Sequence, residues 1–152
     1  WEKRTLWDES TRIPLIFAGP GIPKNEVCAH PVGLIDLFPT LNELCNLPYK
    51  ENLEGTSLAS LLHHPDGEWG RPAITSLGPD SHSVRTGEWP FTLYGDGSME
   101  LYNHFIDPNE WHNLAYLKEY KSVIENLKNH LPKSSKPLIE DSYDSGTLTL
   151  YK

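Results

Sequence analysis

Residues Ile13 to Ala18 read IPLIFA, and the run ends at once in Gly19-Pro20-Gly21. A short continuous apolar run closed by turn residues has the pattern of a strand covered on both faces, whose backbone needs a hydrogen-bonding neighbour on each side. The residues before it, WEKRTLWDESTR, are mostly charged or polar and cannot form those neighbours. The expectation is a buried strand flanked by strands from another segment or another chain, within a sequence that is a piece of a longer one.

A polar, turn-rich loop, GPGIPKNEVCAHP, follows this run. In VGLIDLFPTLNELCNLP, residues Leu34, Leu37, Phe38, Leu41, Leu44 and Cys45 recur at three- and four-residue spacing, which predicts an amphipathic helix with an apolar core face. A proline is tolerated in the first turns, so Pro39 places the regular part between about Asp36 and Asn46. A short helix, SLASLLHH, is expected from Ser57. From Pro72 onward the period shortens. AITSL, HSVRT, FTLYG and MELYN have the β-branched and aromatic content of short strands, and Gly95-Asp96-Gly97-Ser98 joins the last two. A small antiparallel sheet is predicted. After the turn-rich DPNEWHNLA, residues Tyr120, Val123, Ile124, Leu127 and Leu131 share the face of a closing helix that Pro132 stops. The fold class is α/β. Residues 1–65 read as the end of a large α/β domain, 66–133 as a small α+β subdomain and 134–152 as a polar tail that is either mobile or an added strand.

A chain of 152 residues can bury one ordinary core. The net charge of −8, with no lysine and arginine cluster, disfavours nucleic acid as a partner, although a few cations focused in one cleft can still hold a polyanion. No apolar run approaches the roughly 20 residues of a membrane-spanning helix. Neither Cys28 nor Cys45 has zinc-ligand spacing; Cys45, on the helix, is expected to be a buried free thiol, with Cys28, in a loop, as the alternative partner for a disulfide.

Five blocks, WEKRTLWDESTRIPLIFAGPGI, PVGLIDLFPTLNELCNLP, LEGTSLASLL, HSVRTGEWPFTLY and ELYNHFIDPNEWHNLA, occur in an order and spacing that resemble the C-terminal third of the formylglycine-dependent sulfatases, nearest to the iduronate sulfatase group and its bacterial relatives. The resemblance covers residues 1 to about 132. It implies the C-terminal portion of an alkaline-phosphatase-like fold and a parent enzyme that hydrolyses sulfate esters, on glycosaminoglycan-like sulfated carbohydrates. By the same resemblance, W-x-K-x-T-L follows a metal-binding pair and directs its lysine, here Lys3, at the sulfate, where a fixed cation stabilises developing charge. The family's modified cysteine lies in a Cys-x-Pro/Ala-x-Arg setting that neither Cys28-Ala-His-Pro nor Cys45-Asn-Leu-Pro matches. Its calcium ligands would all precede Trp1. The chain is thus expected to hold no metal site and to be inactive alone, with formylglycine and calcium supplied in the complete enzyme by the missing N-terminal part. The family resemblance places such an enzyme in the periplasm, outside the cell or in the lysosome. The competing reading is a binding module of sulfatase descent without chemistry.

Other polar residues have structural readings. Arg12, beside Glu9, is an ion-pair partner. Asp36, at a helix start, is a cap. His82 and Arg85 fall on opposite faces of one strand; Arg85 is read as structural, and His82 as the candidate sugar contact, because the small sheet of sulfatases borders the substrate pocket. His63 and His64 end a helix in solvent, Trp111 pins its loop to the core, and Leu41 is a core residue.

Overall fold

The structure is a computed structural model and describes residues 5–134. Lys3 and the tail from residue 135 lie outside the described residues. Four short strands, β1 (Ala73–Ser76), β2 (His82–Arg85), β3 (Pro90–Leu93) and β4 (Met99–Leu101), form an antiparallel meander in the order β1-β2-β3-β4. Each strand arises from one of the four runs singled out above. The β3–β4 turn is closed by Asp96, whose carboxylate accepts from the Ser98 N–H at 2.8 Å, while Gly97 takes the positive φ of 84° that the turn requires. Accepting from the Ser98 hydroxyl and backbone holds the Asp96 carboxyl below its ordinary range.

Register decides what each face carries. Val84 stands opposite Phe91, and Phe91 opposite Leu101, so three side chains without solvent exposure line up across the sheet. A 3₁₀ turn at Lys118–Tyr120 leads into α4 (Lys121–Lys128), which lays Ile124 and Leu127 on that row, as its spacing predicts. Tyr120, Val123 and Leu131 pack around it, and the Trp89 and Tyr120 rings meet at 5.6 Å. The opposite face bears Ser83, Thr92 and Glu100, and the N-terminal residues pack there through the single turn of α1 (Asp8–Thr11).

The middle of the chain is held by hydrogen bonds more than by packing. A 3₁₀ turn, Leu34–Asp36, runs into α2 (Leu37–Leu44), and α3 (Ala59–His63) follows the strap at 55–58. The buried Asp36 carboxylate accepts from the Gly33 N–H at 2.9 Å, as a cap does, and from the Thr56 N–H at 2.8 Å. The fully buried Thr40 hydroxyl donates to the Asp36 carbonyl at 2.5 Å and accepts from the Leu58 N–H at 2.8 Å. A Cβ on Gly55 would run into the Ile35 carbonyl, so only glycine lets the strap approach the 3₁₀ turn at Leu34–Asp36 this closely.

Several expectations are corrected here. Residues Ile13 to Ala18 form no strand and pair with nothing among the described residues; Ile16 is 85% exposed. The expected core face of α2 points outward, with Leu34, Phe38 and Leu41 each at least half exposed and the Cys45 thiol also exposed. The physical reason is common to both: α2 turns its Thr40 side inward, because that side satisfies the strap's buried N–H, and no described segment covers the apolar side. Trp111 is 76% exposed and pins nothing to the core. Arg12 pairs with Asp8 at 3.9 Å rather than with Glu9.

These contacts reverse the ranking that hydropathy alone gives to two neighbouring positions. In this chain Thr40→Val, which strands a buried N–H, should cost about 1–3 kcal/mol. Leu41→Ala, at an exposed site, should stay within about 0.5 kcal/mol. Urea unfolding midpoints of the two variants check this, and a larger loss for Leu41→Ala would contradict it.

Candidate functional site

The first helical turn closes where Ser10 and Thr11 donate to the Trp7 carbonyl at 3.0 and 3.1 Å, and this fixes the directions of Trp7 and Asp8. Both reach the polar face of the sheet. The Trp7 indole N–H donates to Glu100 Oε2 at 2.8 Å, and Asp8 Oδ1 accepts from Arg85 Nε at 3.1 Å. Arg85 Nη2 lies 2.7 Å from His104 Nδ1. A guanidinium cannot accept a hydrogen bond, so Nδ1 is the acceptor and the ring proton sits on Nε2. Nε2 then donates to Glu110 Oε1 at 2.9 Å, and Glu110 Oε2 accepts from the Asp8 N–H at 3.3 Å. Asp8, Arg85, His104 and Glu110 thus close a ring that joins α1, β2 and the loop after β4.

The loop carrying Glu110 is built for that contact. Asp107 accepts from the Trp111 and His112 N–H groups at 3.1 and 2.8 Å, and Glu110 itself takes a φ of 56°, uncommon for a residue with a Cβ. Desolvation pushes the Asp107 carboxyl upward, but these two N–H groups and the His112 ring outweigh it and hold it below its ordinary range. Around Glu100 the balance runs the other way. Burial, then the negative charge of Glu100 and a hydrogen bond to it, push the Tyr94 phenol up to about 12, and burial with the same carboxylate raises Tyr102.

His82 is 7% exposed on the α4 face, its Nδ1 2.8 Å from the Ser76 hydroxyl, beside a shallow hollow lined by Asp80, Tyr94 and Lys133. Trp7 and Asp8 lie across the sheet from it, so the structure does not bring His82 together with the N-terminal residues. Arg85, read as structural, is the centre of the polar ring. His104 and Glu110 carry no periodic signal in NHFIDPNEW; their one sequence cue is polar side chains in a turn-rich loop, which does not name a partner across the sheet. An open trough of about 1340 Å³ runs between residues 13–33 and β1 and reaches Asp8 and Arg85 of the ring, with Ile13, Phe17, Val27 and Ile74 among its apolar lining. Among the described residues no three His, Cys, Asp or Glu side chains are grouped to hold a metal ion, so they do not fit a calcium site. Both cysteines are free and exposed, in settings that do not match the modified cysteine described above. What the described residues can do is hold the N-terminal segment in place and present an apolar surface.

The raised phenol has a consequence at high pH. An unfolded tyrosine ionises near 10, and a folded-state value above it means that the stabilising effect is complete below pH 10 and is lost as pH rises through about 12. Stability should therefore fall across this window, and Tyr94→Phe should flatten the fall. Urea unfolding from pH 9 to 12, with phenolate absorbance followed in parallel, checks it; an identical pH slope in wild type and variant would contradict it.

Comparison with known proteins follows the same outline. The family model described as N-sulphoglucosamine sulphohydrolase, C-terminal, matches residues 1–137. A sulfatase of Formosa agariphila is 38% identical over 133 residues, covering 88% of this chain and 26% of that protein. A structure from Bacteroides thetaiotaomicron, of a protein proposed to be a sulfatase, superimposes with a TM-score of 0.71 at 27% identity, covering 82% of this chain and 30% of the other. The structure of a 2-O GAG sulfatase superimposes with a TM-score of 0.65 at 26% identity, covering 75% and 27%. The chain spans about a quarter of the length of the curated relatives it matches. The small antiparallel sheet with its closing helix is the C-terminal portion of the alkaline-phosphatase-like sulfatase fold.

Proposed function

Because the chain belongs to the sulfatase family whose C-terminal model it matches over residues 1–137, we propose that it is the C-terminal part of an enzyme that hydrolyses sulfate esters on glycosaminoglycan-like carbohydrates. The observation that carries this reading is that match across nearly the whole chain; the 2-O GAG sulfatase among the structural neighbours supports the substrate class. Within the family we place it with the formylglycine-dependent iduronate sulfatase group, on the five sequence blocks. The nucleophile and calcium ligands then belong to the preceding part of the parent polypeptide, which is also the partner that covers the apolar trough. Residues 1–65 complete that large domain, and 66–133 form the small subdomain.

This chain's own chemical contribution is the Lys3 ammonium, directed at the sulfate. It stabilises charge that grows as the sulfate ester bond breaks, which a positioned cation does best where water is excluded. His82 is kept as a substrate contact only with the hollow it lines, where Lys133 is the neighbouring cation.

Sulfate release from an aryl sulfate and from a 2-O-sulfated disaccharide tests the reading. The full-length polypeptide should turn over, and the 152-residue chain alone should not. Lys3→Ala in the full-length protein should lower turnover roughly a hundredfold, equivalent to about 3 kcal/mol of barrier. Turnover by the isolated chain, or wild-type turnover by Lys3→Ala, would contradict it.

A further inference from the structure

We infer that the ring of Asp8, Arg85, His104 and Glu110 is an acid-sensitive latch between α1, β2 and the loop at 103–112, opened when His104 takes up a proton. Both imidazole nitrogens are already in use. Nδ1 accepts from Arg85 Nη2 at 2.7 Å, and Nε2 donates to Glu110 Oε1 at 2.9 Å. Only the neutral imidazole does both, because the imidazolium carries a proton on each nitrogen and accepts nothing. A proton arriving at Nδ1 points at a guanidinium N–H, donor against donor and cation against cation. The side chains of His104 and Glu110 are each 10% exposed, so water has little room to screen that clash.

Charged and titratable groups surround the imidazole from each element packed there. They are Asp8 from α1, Arg85 from β2, Glu88 from the β2–β3 turn, whose carboxylate accepts from the Asn103 amide at 2.8 Å, and Glu110 on the same loop. Beyond Glu110 stand the Glu100 carboxylate and the Tyr94 and Tyr102 phenols. Within the ring two carboxylates face one guanidinium, so an imidazolium has negative partners; what it lacks is an acceptor at Nδ1. The guanidinium is a rigid plane that reaches Asp8 with Nε at 3.1 Å and His104 with Nη2. Turning Nη2 away from the imidazolium therefore turns Nε away from Asp8, while Nη1 stays on the Thr86 carbonyl at 2.5 Å. Glu110, drawn to the imidazolium, holds the Asp8 N–H only at 3.3 Å. The N-terminal segment then keeps the buried Leu6 and the Trp7 hydrogen bond to Glu100. The row of Val84, Phe91 and Leu101 lies on the other face of the sheet and is untouched.

Hydrogen exchange of the full-length polypeptide from about pH 8 to about pH 5, where histidine changes charge, tests this once corrected for the intrinsic pH dependence of exchange. Protection of the Asp8, Ser10, Thr11, Arg12 and His104 amides should fall about tenfold or more across this range, the scale of losing a hydrogen bond to a charged group. The paired strands β2 and β3 should keep theirs. His104→Gln, which stays neutral and retains an acceptor and a donor, should abolish the fall. NMR of histidine-labelled protein, with the His104 signal assigned as the one missing from the variant, should show the imidazole titrating in step with the loss at α1. An equal fall in His104→Gln assigns it to the carboxylates and overturns the inference. Flat protection in the wild type, or a His104 that stays neutral until the whole protein unfolds, overturns it as well. Should His104→Gln not fold, His104→Asn takes its place with the same outcomes. Sulfate release plays no part in these readouts, so the functional reading stands or falls separately.

Discussion

The row formed by Val84, Phe91 and Leu101 beneath α4 is the interaction on which the rest depends. It is where apolar side chains meet with no exposed surface, and it draws every member of its cluster from residues 84–131. Burying a large aromatic in a closed layer stabilises far more than any surface contact available to this acidic chain. With that layer fixed, the register of β2, β3 and β4 follows, and so does the polar character of the opposite face. A shift of one residue would bring Ser83 and Thr92 under α4 and send Phe91 to the other side.

Everything N-terminal to β1 attaches to this centre by different means. Among the described residues there, the buried apolar ones are Leu6, Leu58, Ala59 and Leu61, a small set for nearly seventy residues of chain. Directed hydrogen bonds do most of the holding: the polar ring at Arg85 for α1, and the Asp36 and Thr40 contacts for the strap beside α2. Such bonds specify geometry well and contribute modest net stability. That division fits the proposed reading, in which the exposed apolar surface meets another portion of the same enzyme.

The parts of the fold that were legible in the sequence are those whose signal is local. Period-two strands, the Asp96-Gly97 turn and the three- and four-residue spacing of α4 each report on their own neighbours, and each appears where expected. Hydropathy also marks Ile13 to Ala18 and the outer side of α2 as surfaces to be covered, but it does not say by what. Within the described residues nothing covers them, so the expected burial of Leu41 and Cys45 is absent. The polar ring was hidden for another reason. His104 and Glu110 find Arg85 and Asp8 across up to about a hundred residues of sequence, through a turn whose conformation depends on Asp107. Only Arg85 could be placed beforehand, by strand alternation.

In the proposed reading, the IPLIFA segment and the outer side of α2 are surfaces completed by the preceding part of a sulfatase. Hydrogen exchange of their amides, in the full-length polypeptide and in this chain alone, measures it directly. Residues 15–18, at coil-like rates in the isolated chain, should become protected by several orders of magnitude in the full-length protein, as buried amides are. Equal, fast exchange of these amides in both would contradict it.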